Sequence, residues 1–334
     1  MQTTVVDRGS RPNVAEARLS DYQHTLHAPF SLSGTGLHTG VNVNLRLVPA
    51  PASTGIVFKR TDLDGFAIAA EPRNVARVSY ATTLMKKGVI ISTTEHLLSA
   101  LAASGVDNAI AELDSLEVPI LDGSAAPLVR LIGQVGLRRQ RAQRLYAKVL
   151  KPVEVINDGK RIGVYPSAEF QITYHITFSH PLIGEQKLEY SPQRDNYEGQ
   201  IAPARTFGFM EEAEKLRRSG LIRGGSLENA VVLTRDGVLN PEGLRFPDEF
   251  CRHKILDLLG DLSLLGHPLI GHVIAERAGH AMHFALVARL LREKTAWTLL
   301  SQKQLEAAAA NHPLSPLATP TIASASTVRL LIQT

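Results

Sequence analysis

Hydrophobic positions recur along this chain with two periods, and each period predicts a different element. Val41, Val43, Leu45 and Leu47 alternate with Asn42, Asn44 and Arg46, the pattern of a strand with one buried face. Gly34, Gly36 and Gly40 mark tight turns around Leu37 and His38. From Thr93 the spacing lengthens to that of a helix, with Thr93 or Thr94 as cap, Leu97, Leu98, Leu101 and Ala102 as the buried stripe, and Gly105 as terminator. A strand over 108–113, a turn at Asp122 and Gly123, and a second helix over 124–135 follow. The basic residues of 138–144 read as a connector.

The second half repeats this plan. Strands over 147–156, 161–165 and 171–178 precede a helix over 247–265, whose apolar surface is Phe250, Ile255, Leu258, Leu259, Leu262 and Leu265. In each half a helix bearing a histidine, His96 or His253, ends at glycine and leads into a strand, an order that suggests duplication. The expected organisation is a flexible tail over 1–21, a domain over 22–144, a second over 145–297, and a C-terminal extension over 298–334 with a helix near 307–310.

Composition narrows the functional classes. With 44% hydrophobic residues among 334, two domains of ordinary size can each bury a core. A net charge of +4, from 36 basic against 32 acidic residues, with 5% aromatics, lacks the dense basic face of a nucleic-acid binder and suits a small anionic partner. Cys251 is the single cysteine and cannot close an internal disulfide, which fits a reducing cytoplasm. The first thirty residues carry Asp7, Arg8, Arg11, Glu16, Arg18 and Asp21 without the apolar core of a secretory signal. No stretch reaches the roughly 18 apolar residues of a membrane span. The expectation is a cytoplasmic monomer without stable membrane insertion.

The chemistry-bearing residues sit on the two histidine helices. His253, Asp257 and Asp261 are spaced i, i+4, i+8, which places them within roughly 80° on the helix circumference. A His and an Asp one turn apart can aim at one point about 2 Å from each, as two metal ligands do; a solvated surface pair has the same spacing. Glu95 and His96 open the other helix, either as favourable partners of its dipole or for chemistry. The spacing is not the two-histidine helix of metalloproteases, so a metal site here would be assembled across two helices distant in sequence. Three nitrogen and oxygen ligands with one open position describe a catalytic zinc. Cys251, about 200° around the helix from His253, points away.

Seven segments together resemble one family: residues 33–40 (SGTGLHTG), 93–101 (TTEHLLSAL), 119–125 (PILDGSA), 204–209 (ARTFGF), 224–226 (GGS), 229–230 (NA) and 252–261 (RHKILDLLGD). The chain is similar, in order from about Tyr22 to Leu291, to the UDP-3-O-acyl-N-acetylglucosamine deacetylases of lipid A biosynthesis. The resemblance implies an α+β fold of two similar domains, each a β-sheet layered with helices and carrying a small insert, with the active site between them. It implies zinc, one per chain and replaceable by Fe2+, on His96, His253 and Asp257, with Glu95 as the base that activates water. Thr206 then helps hold the oxyanion, and His280, kept charged by Asp261, is the acid. Lys254 would lie near zinc and substrate.

The implied substrate is UDP-3-O-(3-hydroxyacyl)-N-acetylglucosamine, which loses acetate. Lys160 and Arg277 fall where phosphate contacts are expected, and Phe178 where a ring could cover the nucleotide. Phe207 falls among the substrate contacts. The insert at about 204–230, with Met210, Ala213, Leu216, Leu221, Ile222 and Leu227, resembles a unit lining an acyl passage; an amphipathic helix covering its own domain is the other account. Two positions depart from the family: Ala278 replaces a small hydroxyl residue, and His283 stands where asparagine is common. A zinc amidase of another acylated nucleotide sugar, or an inactive nucleotide-sugar-binding regulator, would share much of this pattern.

Overall fold

The computed structural model describes residues 19–311; residues 1–18 of the expected tail over 1–21 and the extension beyond 311 lie outside the described residues. In the first half, β1 (Tyr22–Leu26), β2 (Phe30–Thr35), β3 (Asn42–Pro49), β4 (Ile56–Arg60) and β5 (Phe66–Ala69) lead to a small three-stranded insert. That insert is β6 (Val75–Arg77), β7 (Thr83–Lys86) and β8 (Val89–Ile91), and α1 (Glu95–Ala103), β9 (Ala109–Leu113), α2 (Ala126–Val135) and β10 (Leu137–Gln143) follow it. The second half opens with β11 (Tyr146–Val149), β12 (Val153–Asn157), β13 (Lys160–Tyr165), β14 (Gln171–Thr177) and β15 (Glu185–Tyr190). Its insert holds α3 (Tyr197–Gln200), β16 (Phe207–Phe209), α4 (Met210–Arg218) and β17 (Val231–Leu233). Then come α5 (Glu249–Ser263), β18 (Leu269–Ile270), β19 (His272–Glu276), α6 (His280–Arg292), β20 (Trp297–Leu300) and α7 (Gln302–Asn311).

The halves share one sheet topology. The first sheet is ordered β2-β3-β9-β4-β5 and the second β12-β13-β19-β14-β15. In both, the central strand is antiparallel to one neighbour and parallel to the other, β9 with β3 and β4, β19 with β13 and β14. Each insert lies between the fifth sheet strand and the next long helix, so the α+β plan occurs twice.

Burial follows the alternation read from sequence. Val43, Leu45 and Leu47 on β3 and Ala109, Ala111 and Leu113 on β9 turn one face into the core, which also takes Leu97, Leu98 and Leu101 of α1 and Leu128, Val129 and Ile132 of α2. In the second half α5 packs on β14 and β15, and α6 on β12 and β13. The closest helix pair is α1 with α5. A Cβ added to Gly260 would stand 2.1 Å from the Glu95 carbonyl oxygen, so only glycine lets the two backbones meet there. No helix among the described residues is long and apolar enough to cross a membrane.

Four local expectations need correction. Residues 138–144 are not a connector: they lie mostly in β10, which pairs antiparallel with β1. The expected strand over 147–156 is two strands in different sheets, because Pro152 has no N–H to continue a ladder. Residues 298–300 belong to β20, paired with β11, rather than to a loose extension. Thr94 precedes α1 but does not cap it with its side chain; its hydroxyl donates to the Thr82 carbonyl at 3.1 Å.

Candidate active site

The α1–α5 contact brings the first-half pair, Glu95 and His96, against His253 and Asp257. All four are buried, as is Asp261, so the stripe expected along α5 is enclosed and not solvated. His253 Nε2 lies 3.3 Å from Asp257 Oδ1, and His96 Nε2 3.6 Å from the same oxygen. Two ligands about 2.0–2.1 Å from one ion at a tetrahedral angle stand roughly 3.4 Å apart. His253 Nδ1 donates to the Ala204 carbonyl at 3.1 Å, which leaves the Nε2 lone pair facing the carboxylate.

Two lone pairs in a buried site need a cation or a proton between them. Burial drives the His253 pKa down to about 3, against the pull of Asp257, so a proton does not serve at neutral pH. The donor set therefore fits a divalent ion, and the three ligand atoms lie within 4.8 Å of one another. Lys254 Nζ donates to Asp257 Oδ2 at 2.8 Å, which leaves Oδ1 for the imidazoles.

A second cluster, Asp261, His280 and His283, has the same ligand types but a different economy of protons. Asp261 Oδ2 accepts from His280 Nδ1 at 2.7 Å and from His283 Nδ1 at 2.8 Å, while Oδ1 accepts from the Thr82 hydroxyl at 2.6 Å. His283 Nε2 lies 2.9 Å from the Tyr174 hydroxyl and accepts from it. Hydrogen bonds thus use these donors and acceptors. Burial favours neutral His280, but the Asp261 and Asp257 charges and the Asp261 hydrogen bond outweigh it and raise the pKa to about 9. Burial likewise acts to raise Asp261, and the His280 charge with both imidazole hydrogen bonds brings it down to about 2. The Glu95 carboxyl is raised, chiefly by burial and against the attraction of His280 and His96.

Glu95, His96, His253, Asp257 and His280 open onto one cavity of about 360 Å³, lined also by Lys160, Phe178, Thr206, Phe207 and Lys254, whereas Asp261 and His283 lie behind its wall. Thr206 is held by its backbone: its N–H donates to the Gly123 carbonyl and its carbonyl accepts from Val231 N–H, both at 2.8 Å. Gly123 has φ +83°, and a Cβ there would fall 2.2 Å from the Asn229 carbonyl oxygen. The adjoining Arg205 is fully buried, bonded through Nε to Glu249 at 2.9 Å and through Nη1 to Glu242 at 2.6 Å. Phe207 packs edge-on against Phe178 and Phe250, with centroids 5.8 and 4.9 Å away.

Other expected contacts lie elsewhere. Arg277 is exposed and donates to the Gly159 carbonyl; Met210, Ala213, Leu221, Ile222 and Leu227 are absent from the cavity wall. The insert instead braces the glycine-rich turn, with Arg223 N–H donating to the His38 carbonyl and Gly224 N–H to the Leu37 carbonyl. Buried Glu117 grips the same turn, accepting from the N–H groups of His38 and Thr39 at 2.9 Å each, so that Leu37 and His38 line the cavity. Sequence reasoning missed Tyr80, Thr82 and Tyr174. Tyr80 is 64% exposed with φ +64° at the cavity edge; no pattern of spacing sets these three apart.

Comparison with known proteins bears on this geometry. Residues 23–292 match the family described as LpxC: UDP-3-O-acyl N-acetylglycosamine deacetylase. A protein of Solibacter usitatus (strain Ellin6076) named UDP-3-O-acyl-N-acetylglucosamine deacetylase is 53% identical over 284 residues, 85% of this chain and 96% of that one. Proteins of the same name from Syntrophotalea carbinolica and Geobacter sp. (strain M21) are 46% and 47% identical, covering 84% of this chain and 91% and 92% of their own.

Proposed function

The chain belongs to the UDP-3-O-acyl N-acetylglycosamine deacetylase family, and from that premise we propose that it hydrolyses the acetamide of a UDP-3-O-acyl-N-acetylglucosamine. Water adds to the acetyl carbon, the C–N bond breaks, and acetate and the sugar amine leave. In lipid A biosynthesis this is the step that the sequence resemblance implies. The observation that carries the reading is the convergence of His96, His253 and Asp257 on one cavity that also holds Glu95 and His280.

We assign His96, His253 and Asp257 as ligands of one zinc ion, with Fe2+ an acceptable substitute for this donor set. When bound, the ion supplies an acidified water and polarises the acetyl carbonyl. Glu95 takes the proton of the attacking water; its pKa, raised by burial, suits a base that must later release that proton. The Thr206 hydroxyl donates to the carbonyl oxygen as negative charge develops. His280, charged below about pH 9, gives its proton to the departing nitrogen. Lys160, Lys254, Phe178 and Phe207 line the cavity where an anionic nucleotide sugar would enter. We assign Arg277 and the insert residues Met210, Ala213, Leu221, Ile222 and Leu227 to more distant parts of the substrate, beyond this cavity.

The test is metal content together with acetate release from UDP-3-O-(3-hydroxyacyl)-N-acetylglucosamine, for the native chain and His253→Ala. One metal per native chain, lost with activity in the variant, supports the assignment. Metal without turnover points to another amide substrate, and a native chain that binds no metal sinks the metalloamidase reading.

A further inference from the structure

We propose that Thr82 is a positioning residue that ties the base of one half to the acid of the other; the proposal rests on the deacetylase reading above. Thr82 is 1% exposed and lies within the first-half insert, immediately before β7. Its N–H donates to Glu95 Oε2 at 3.0 Å, its hydroxyl to Asp261 Oδ1 at 2.6 Å, and its carbonyl accepts from Thr94 N–H at 3.2 Å. One residue thus touches the start of α1, which carries Glu95, and the last turn of α5, which carries Asp261.

Each bond decides the state of a reacting group. The fixed backbone donor occupies Glu95 Oε2, so Oε1 is left to take the proton from water. Asp261 Oδ2 is already shared by His280 and His283. Without the Thr82 hydroxyl its Oδ1 would be a buried carboxylate oxygen lacking its partner, and the carboxylate would turn to seek another donor. The His280 ring, held through Nδ1, would turn with it. A hydroxyl has a single proton, and the 2.6 Å contact commits it to Asp261; the 3.4 Å approach of Thr82 Oγ1 to His280 Nδ1 is the weaker contact.

Thr82→Val keeps the shape and the N–H and removes only the hydroxyl. The expected result is unchanged metal content and KM with kcat lowered about 10- to 100-fold, as for a misplaced catalytic group, and Thr82→Ser restoring kcat to within about threefold of native. In an Asp261→Asn background the valine substitution should add little further loss, because both changes break one interaction. Should Thr82→Val fold poorly, Thr82→Cys, of similar size with a weak donor, carries the same expectation. A valine variant with kcat within about twofold of native, a loss confined to KM, or no rescue by serine would overturn the proposal. Native protein that releases no acetate removes the deacetylase reading itself, and Thr82's role with it.

Discussion

Asp261→Asn keeps the side chain's shape while removing its charge, and the group that should respond is His280. In the native site burial alone would depress that imidazole; the nearby carboxylates reverse the effect and raise it to about 9. Asp257, 3.8 Å from His280 Nε2, is already engaged by Lys254 and the imidazoles of His96 and His253. With the Asp261 charge gone, burial prevails and His280 should titrate at or below the free value of about 6.5. A fall from about 9 to about 6.5 is worth about 3 kcal/mol between the protonation states. At about pH 7.5 the charged fraction then drops from about 97% to about 10%, so kcat/KM should fall at least about tenfold. The sign follows from the acid role proposed for His280: it must be charged to donate, so activity persists below its pKa and is lost as pH rises through it. A pH–rate profile of acetate release should place the native basic limb near 9 and move the variant's to or below about 6.5, with activity partly recovered on acidification. An Asp261→Asn enzyme whose basic limb stays where the native one lies refutes the reasoning.

Other perturbations test the scaffold around this pair. Gly260→Ala puts a methyl group 2.1 Å from the Glu95 carbonyl oxygen; α1 and α5 must separate, and metal analysis should find well under one ion per chain. Glu249→Ala takes the buried carboxylate from the Arg205 guanidinium, 1% exposed, leaving it only Glu242 and the Gly243 carbonyl, and should cost about 3 kcal/mol in denaturant unfolding. Tyr174→Phe leaves His283 Nε2 without its donor and should cost about 1–3 kcal/mol, read as a lower thermal midpoint with one metal per chain retained.

Much of the local structure was legible because periodicity reports which face of an element meets the core. The alternation through Val43, Leu45 and Leu47 became β3, and the stripe through Leu97, Leu98 and Leu101 became α1. The errors fell where pairing partners decide. The run 138–144 is rich in arginine and lacks an apolar face, yet β1 lies beside it and completes its hydrogen bonds. Along the chain Thr82 is an ordinary threonine; its importance comes from Glu95 and from Asp261, 179 positions away.

The residue types and spacings by themselves determined the helices bearing His96 and His253 and the i, i+4 pairing of His253 with Asp257, and suggested the repeated order of elements, because backbone periodicity and helix geometry are local. Tertiary structure decided how closely His96, His253 and Asp257 approach, that His253 presents Nε2 to Asp257, and that the surroundings favour a charged His280 and a neutral His253. Burial and opposing charge compete at both histidines: burial prevails at His253, whereas the carboxylates around His280 outweigh it. That balance depends on distances across the α1, α5 and α6 contacts, which linear order does not contain.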